Sequence, residues 1–389
     1  MKFRAVLRGV SRAKVRQDDP PLVLLNFPTD HGPLDLIFRT RYDEREFEVA
    51  VPRELWVEAR GEAPSLEDGI TAAWAASATV LPIIALTTNV AIGELQPHLA
   101  FETTQGIEDR AFFQSTVETE RGIPPPGRRI PVQAAVAVLD AMKATGRANV
   151  SDATRLLRAA NQYLLGLRYY KRNFELLCVS HIFMAAEALK VAALRRALSD
   201  SGLSESELAE TWGVRPGEPR TRPLLEAEAR RRIVFNGDDE THRQAAEISD
   251  GFEHGFRDLG ELHGPSLEIR NQAASLVRGA WLHLVRAPEE VRRELTEGRF
   301  AQPLDMTDYV RYMRGRLVGP GDDLAPENEE YPYLEWRTAP KLADAKDGRI
   351  TISGEETFTV RTNDRIAFQA VSWEFWGPQM DERTTEEAT

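Results

Sequence analysis

Residues 233–263, IVFNGDDETHRQAAEISDGFEHGFRDLGELH, gather the side chains best equipped for chemistry, including three of the chain's seven histidines. At helical spacing Arg243, Glu247, Asp250 and His254 fall at i, i+4, i+7 and i+11 and form one polar stripe, with Ala245, Ile248 and Phe252 on the opposite side. Gly255 suits a helix end just after His254. An imidazole in the last turn, with the Asp250 and Glu253 carboxylates close by, is equipment for acid–base chemistry or phosphate contact. Metal ligation is a second chemistry open to His242, Glu253, His254, Glu261 and His263. None of them forms the paired i, i+4 histidines of a zinc peptidase and no second cluster completes a site, so neither metal nor cofactor is expected.

Other residues carry a bland reading beside a functional one. Glu187 shares a helical face with Ser180, Phe183, Met184, Val191 and Leu194. A carboxylate among such neighbours needs a cationic or hydrogen-bonded partner, so a structural ion pair is expected. Arg220, Arg222 and the triplet Arg230, Arg231 and Arg232, mixed with Glu226 and Glu228, suit nucleic-acid contact or simply a charged helix face. The single cysteine, Cys178, lies in an apolar helical run; it excludes an internal disulfide framework and predicts a buried thiol in a reducing, cytoplasmic setting.

These elements need a scaffold, and 389 residues are enough for two or three domains. A net charge of −12 argues against coating nucleic acid by bulk charge, so any RNA or DNA contact needs a local basic patch. Residues 1–118 read as β-rich, with alternating runs at Phe3–Leu7, Leu34–Phe38, Phe47–Val51, His98–Thr103 and Ala111–Val117. They include one long helix from a Ser65 cap to about Asn89. Ile70–Gly93 is uncharged and long enough to span a bilayer, but its polar content and its acidic flanks favour a buried helix, and no membrane partner is expected. Residues 119–131, with Pro124–Pro126, Arg128 and Arg129, read as a stiff linker.

Residues 132–298 are strongly helical. The expected helices are Val132–Lys143, one capped by Ser151 or Asp152, a long one from Asn173 to about Gly202, a short one with a Ser204/Glu207 capping box, the focal helix, and Pro265–Val285. Residues 299–389 read as a β-rich extension, with a loop at 315–330, a hairpin turn at Thr362–Arg365 and a disordered acidic tail from Asp381. The fold class is therefore α+β.

The helical region from Ser151 to about Ala287 resembles the HEPN superfamily, in particular its ApeA-like branch. The resemblance rests on Tyr163-Leu-Leu-Gly-Leu-Arg168, on Ala185-Ala-Glu-Ala-Leu189, and on Asn236-Gly-Asp-Asp leading into Glu253-His254-Gly-Phe256. The same run is also similar to proteins labelled methylamine utilization protein J. The resemblance implies a central all-α HEPN-like bundle and a homodimer formed through it. HEPN nucleases cut RNA without metal, using an arginine, a polar residue, three further residues and a histidine. The matching frame here is Ser249 to His254: Asp250 and His254 fit, and Ser249 stands where the arginine belongs. A serine cannot supply the guanidinium's charge; Arg243 and Arg257 are the candidate replacements. Arg278 to His283 has the spacing but lacks the polar second residue and lies mid-helix.

Three functions follow as expectations. The first is a HEPN-like module with a degenerate motif that binds RNA, nucleotide or a protein, in stress or defence. The second is an active metal-independent endoribonuclease using His254 and a substitute arginine. The third is a small-molecule role unrelated to RNA.

Overall fold

Alternation in the first strand sets the sheet. In β1 (Lys2–Gly9), Phe3, Ala5 and Leu7 are buried, while Arg4, Val6 and Arg8 take the other face. Around it β3 (Leu22–Phe27), β4 (Leu34–Asp43), β5 (Val51–Glu62), β6 (Gln96–Glu102) and β7 (Phe112–Gln114) complete a six-stranded sheet of order β3-β4-β5-β1-β6-β7. β1 runs antiparallel to both β5 and β6. A short parallel pair joins β2 (Ala13–Lys14) to β8 (Arg128–Arg129). The computed structural model describes residues 1–16, 19–43, 51–104, 111–114, 127–215, 217, 220–255, 258–305, 310–318, 333–346, 349–361 and 367–376. Two compact units result: Met1–Arg41, Arg53–Thr119 and Pro126–Met306 form one, and the other is mainly Thr307–Thr389 with Tyr42–Pro52 and Glu120–Pro125.

Helix α1 (Leu66–Thr88) covers the inner face of the sheet. Ser65 caps it by accepting from Asp68 N at 3.1 Å, and Asn89 ends it in the left-handed conformation at φ 52°. Gly69 is the point of closest approach: a Cβ there would stand 2.9 Å from the Phe3 ring. The far side of α1 packs on α2 (Val132–Ala148) and α3 (Val150–Arg168), so the described residues on both sides of 119–131 share one core. By length and composition α1 and the helix Glu175–Ser201 could each cross a bilayer, but 67% and 61% of their apolar windows are buried inside the protein.

The bundle follows the expected order with shifted ends. α2 runs through Gly146 to Ala148, and Asn149, not Ser151 or Asp152, caps α3 by accepting from Asp152 N. α4 (Glu175–Ser201) packs against α3, where Gly166 brings the helices together; a Cβ there would meet Ile182 at 3.0 Å. α5 (Glu205–Trp212) carries the Ser204/Glu207 capping box. α6 (Thr221–Ala229) continues into a π-helical turn, Arg230–Val234, and then α7 (Asp239–His254). α8 (Leu259–Leu284) starts six residues before the expected Pro265, because the Asp258 side chain caps Gly260 N. α9 (Glu289–Thr296) and a 3₁₀ turn, Gly298–Phe300, close the unit.

One buried guanidinium ties these parts together. Arg278 of α8 is 1% exposed and donates to Leu86 O (2.6 Å) and Thr87 O (3.0 Å) at the C-terminus of α1, and to Leu295 O (2.5 Å) and Phe300 O (3.0 Å). Burial pushes its pKa down to about 10, which leaves it charged at neutral pH. Among the described residues no carboxylate pairs with it; the carbonyl end of α1 supplies the negative potential. Asn89 extends the junction, donating to Phe300 O at 2.9 Å and accepting from Tyr163 OH at 2.8 Å. The spacing from Arg278 to His283 is therefore structural.

In the second unit β10 (Tyr333–Lys346) pairs with β11 (Arg349–Arg361), and β9 (Val310–Val318) pairs with β12 (Ala367–Trp376), both antiparallel. The strands flanking 362–366 are thus not each other's partners, which corrects the expected hairpin. Two residues, Asp347 and Gly348, separate β10 from β11 in the chain and lie outside the described residues. β9 also takes in residues 315–318 of the expected loop, whose remainder and the acidic tail lie outside the described residues.

Replacing Arg278 with methionine removes the donors while keeping the bulk; Phe300 O keeps Asn89, and the carbonyls of Leu86, Thr87 and Leu295 lose the guanidinium. We expect a loss of about 3 kcal/mol or more in urea unfolding. The exposed Arg243→Met should unfold at the same urea concentration as wild type.

Candidate functional site

The focal helix forms as its pattern predicts. Asn236 and Gly237 are both left-handed (φ 52° and 74°), turning the chain so that Asp238 caps α7 by accepting from Thr241 N at 3.0 Å. Ala245 and Ile248 are buried, and Gly255 ends the helix at φ 63°, one residue past His254. On the outer side Asp250, Glu253 and His254 are exposed. Exposed acids follow them in the chain: Asp258 and Glu261 at the start of α8.

Ser249, in the position of the motif arginine, is 1% exposed and donates to Glu253 Oε1 at 2.8 Å. Arg243 precedes His254 by eleven residues, about 16 Å along the helix axis, and is held by Glu240 (2.6 Å) and Glu247 (2.7 Å). It cannot serve His254. Arg257, the other substitute, which also counts among the sequence-expected nucleic-acid contacts with Arg230, Arg231 and Arg232, lies outside the described residues.

A polar cluster stands where α4 meets the π turn and α7. The three consecutive arginines point in different directions there, as neighbouring residues on a helix must, and Arg230–Val234 form the π turn. Arg230 turns inward, its side chain 15% exposed and ion-paired with Glu187. Its Nε donates to His242 Nε2 at 3.1 Å, and its guanidinium lies 4.7 Å from the centre of the Phe183 ring. Glu187 also accepts from Lys190 at 2.6 Å, which supplies the partner its position demands. The Asp250 charge acts on Arg230 as well, opposing the burial that pushes its pKa down. Arg231 pairs with Glu228 (2.8 Å) and Asp239 (2.5 Å), and Arg232 with Glu228 (2.7 Å). The basic triplet is thus engaged within the chain.

His242 accepts from Arg230 through Nε2, so its proton resides on Nδ1. Burial, helped by the Arg230 charge, pushes its pKa down to about 4, and it packs edge-on against Phe235 at 5.1 Å. Nearby on α4, His181 stacks on Tyr169 at 5.5 Å and its Nδ1 stands 3.0 Å from Gln162 Oε1. Burial lowers its pKa, against the Glu253 carboxylate. His263 faces a different group, the buried Glu175 at 3.5 Å, which Arg270 also approaches at 3.7 Å. Cys178 is fully buried and its thiol is pushed up to about 12, which fits a structural role. Sequence reasoning missed the inward turn of Arg230 and the role of His242. A Glu and an Arg on different helices carry no spacing signal, although three consecutive arginines at a helix junction were visible. Comparison with family models, with curated proteins and with solved structures finds no match.

Removing Glu187 leaves Arg230 partly buried without its carboxylate. Glu187→Ala should lower stability clearly, and Glu247→Ala, from an exposed pair, should barely change it. His242 is neutral in the folded state but takes a proton on unfolding, so it draws stability down as pH falls from about 6.5 towards 4. Urea unfolding at pH 7 and pH 5 should show a smaller loss for His242→Gln than for wild type; an equal loss would place that proton elsewhere.

Proposed function

We propose that this chain is a non-catalytic, HEPN-like protein that binds RNA. The resemblance of residues 151–287 supports the bundle type and the class of ligand, and implies a homodimer through the helical region. The geometry around Ser249 supports the absence of catalysis. A phosphate undergoing cleavage needs a preorganised cation beside the imidazole, and loss of one such donor costs roughly 10²–10³ in rate. Ser249 is instead buried and bonded to an acid, Arg243 is three turns away, and the surface around His254 is acidic. His254 and Asp250 are then what remains of the frame.

One observation favours a second reading, the metal-independent endoribonuclease. Arg230 comes from a neighbouring element and shares a field with Asp250, one turn before His254. Its pairing with Glu187 weighs against that role, because a guanidinium already neutralised stabilises phosphate charge poorly.

Single-stranded RNA incubated with purified protein in EDTA should stay intact, for wild type and His254→Ala alike. Binding should weaken steeply as salt rises. Cleavage that disappears in a folded His254→Ala protein would establish the nuclease instead.

A further inference from the structure

The face of the N-terminal sheet opposite α1 carries chemistry that the helical bundle does not use. Register places Arg4 of β1 opposite Arg60 and Phe101, Val6 opposite Glu58 and Leu99, and Arg8 opposite Trp56. β4 adds Ile37, Arg39 and Arg41 to this face, alternating with the buried Leu36 and Phe38. The β1–β6 register shifts after Val6, and His98 and Leu99 both reach the same side: His98 lies 5.6 Å from Trp56, and Leu99 lines a hollow. That hollow, about 280 Å³, is lined by Arg4, Arg39, Trp56, Leu99 and Phe101, and by Glu58 between its two arginines.

Five arginines and Lys2 share this face with Glu54, Glu58, Glu62 and Asp35, in a chain whose net charge is −12. Glu58 is held between Arg4 (2.6 Å) and Arg60 (2.5 Å), and Glu54 lies 3.8 Å from Arg8 and accepts from Trp56 Nε1 at 3.1 Å. Both acids are thereby neutralised. Arg39 and Arg41 remain, both exposed: Arg41 lies 5.2 Å from the centre of the Trp56 ring, and Arg39 has no ion pair among the described residues. Arg4 Nε is buried without an acceptor. The patch therefore combines free positive charge, an unmet donor, and aromatic rings beside a hollow.

We infer that this sheet face binds single-stranded nucleic acid, with phosphates at Arg39 and Arg41 and a base against Trp56 in the hollow. Flat rings flanked by guanidiniums suit unpaired bases, whose faces are free, and not a duplex, whose faces are stacked within it. The inference rests on the RNA-binding reading above for its ligand class, but on residues outside the bundle. It also places the local basic patch that an acidic chain needs in the strands, away from the arginine triplet of the π turn.

The test uses the full-length protein and a short fluorescein-labelled single-stranded RNA, followed by anisotropy. Arg39→Glu and Arg41→Glu should each weaken binding about fivefold or more, and each should reduce the salt slope by about one. Trp56→Ala should cost about tenfold. Arg286→Glu, at the end of α8, should bind as wild type, and a duplex of equal length should compete poorly. The two charge reversals lie at exposed positions, and circular dichroism should confirm that those proteins fold. Binding that survives both reversals, or a duplex that binds as tightly, would overturn this inference while leaving the RNA-binding reading intact. A wild-type protein that binds no RNA would overturn both.

Discussion

A charge placed where water cannot reach it holds the larger unit together. Arg278 loses its hydration inside the protein, a cost that only a full set of acceptors can offset. Four carbonyls from three separate elements supply that set, and two of them belong to the end of α1. The planar guanidinium reaches all of them at once, where a lysine would offer one point charge on a flexible stem. Because α1 also lies against the sheet, the same side chain couples the strands to the bundle. Asn89 and Tyr163 reinforce the junction from the next residue in the chain and from α3.

The second organising feature is the way α4 meets the π turn. Of the three consecutive arginines, one faces Glu187 and His242 while its neighbours, about 100° round the helix at each step, pair with surface acids. The interior cluster is satisfied by its own members, with rings of Phe183 and Phe235 closing around it. A satisfied cluster fixes how helices seat on each other; it offers little to a substrate. The exposed end of α7 keeps an imidazole and two acids, in an acidic neighbourhood.

Local signals were legible in the residues, and long-range ones were not. Ser65 and Asn89 marked α1, Gly255 marked the end of α7, and Ser204 with Glu207 marked α5, because each acts within one turn of its own helix. The helical character of the bundle and the α+β class followed from periodicity. Asn149 ranks with Ser151 and Asp152 as a cap, so residue type does not choose among the three, and Pro265 suits a helix start although Asp258 caps α8 upstream of it. Within β1 the alternation was plain, but only the order β4-β5-β1-β6 brings Arg39, Trp56, Arg4 and Phe101 onto one surface. No single strand contains that information.

Cys178 has a practical consequence. It is the chain's only thiol, it is wholly enclosed between α3, α4 and their neighbours, and its proton is held tightly. A maleimide or disulfide reagent can therefore modify it only when the surrounding helices part. The labelling rate becomes a native clock for opening of the interior, readable without adding any dye site to the molecule.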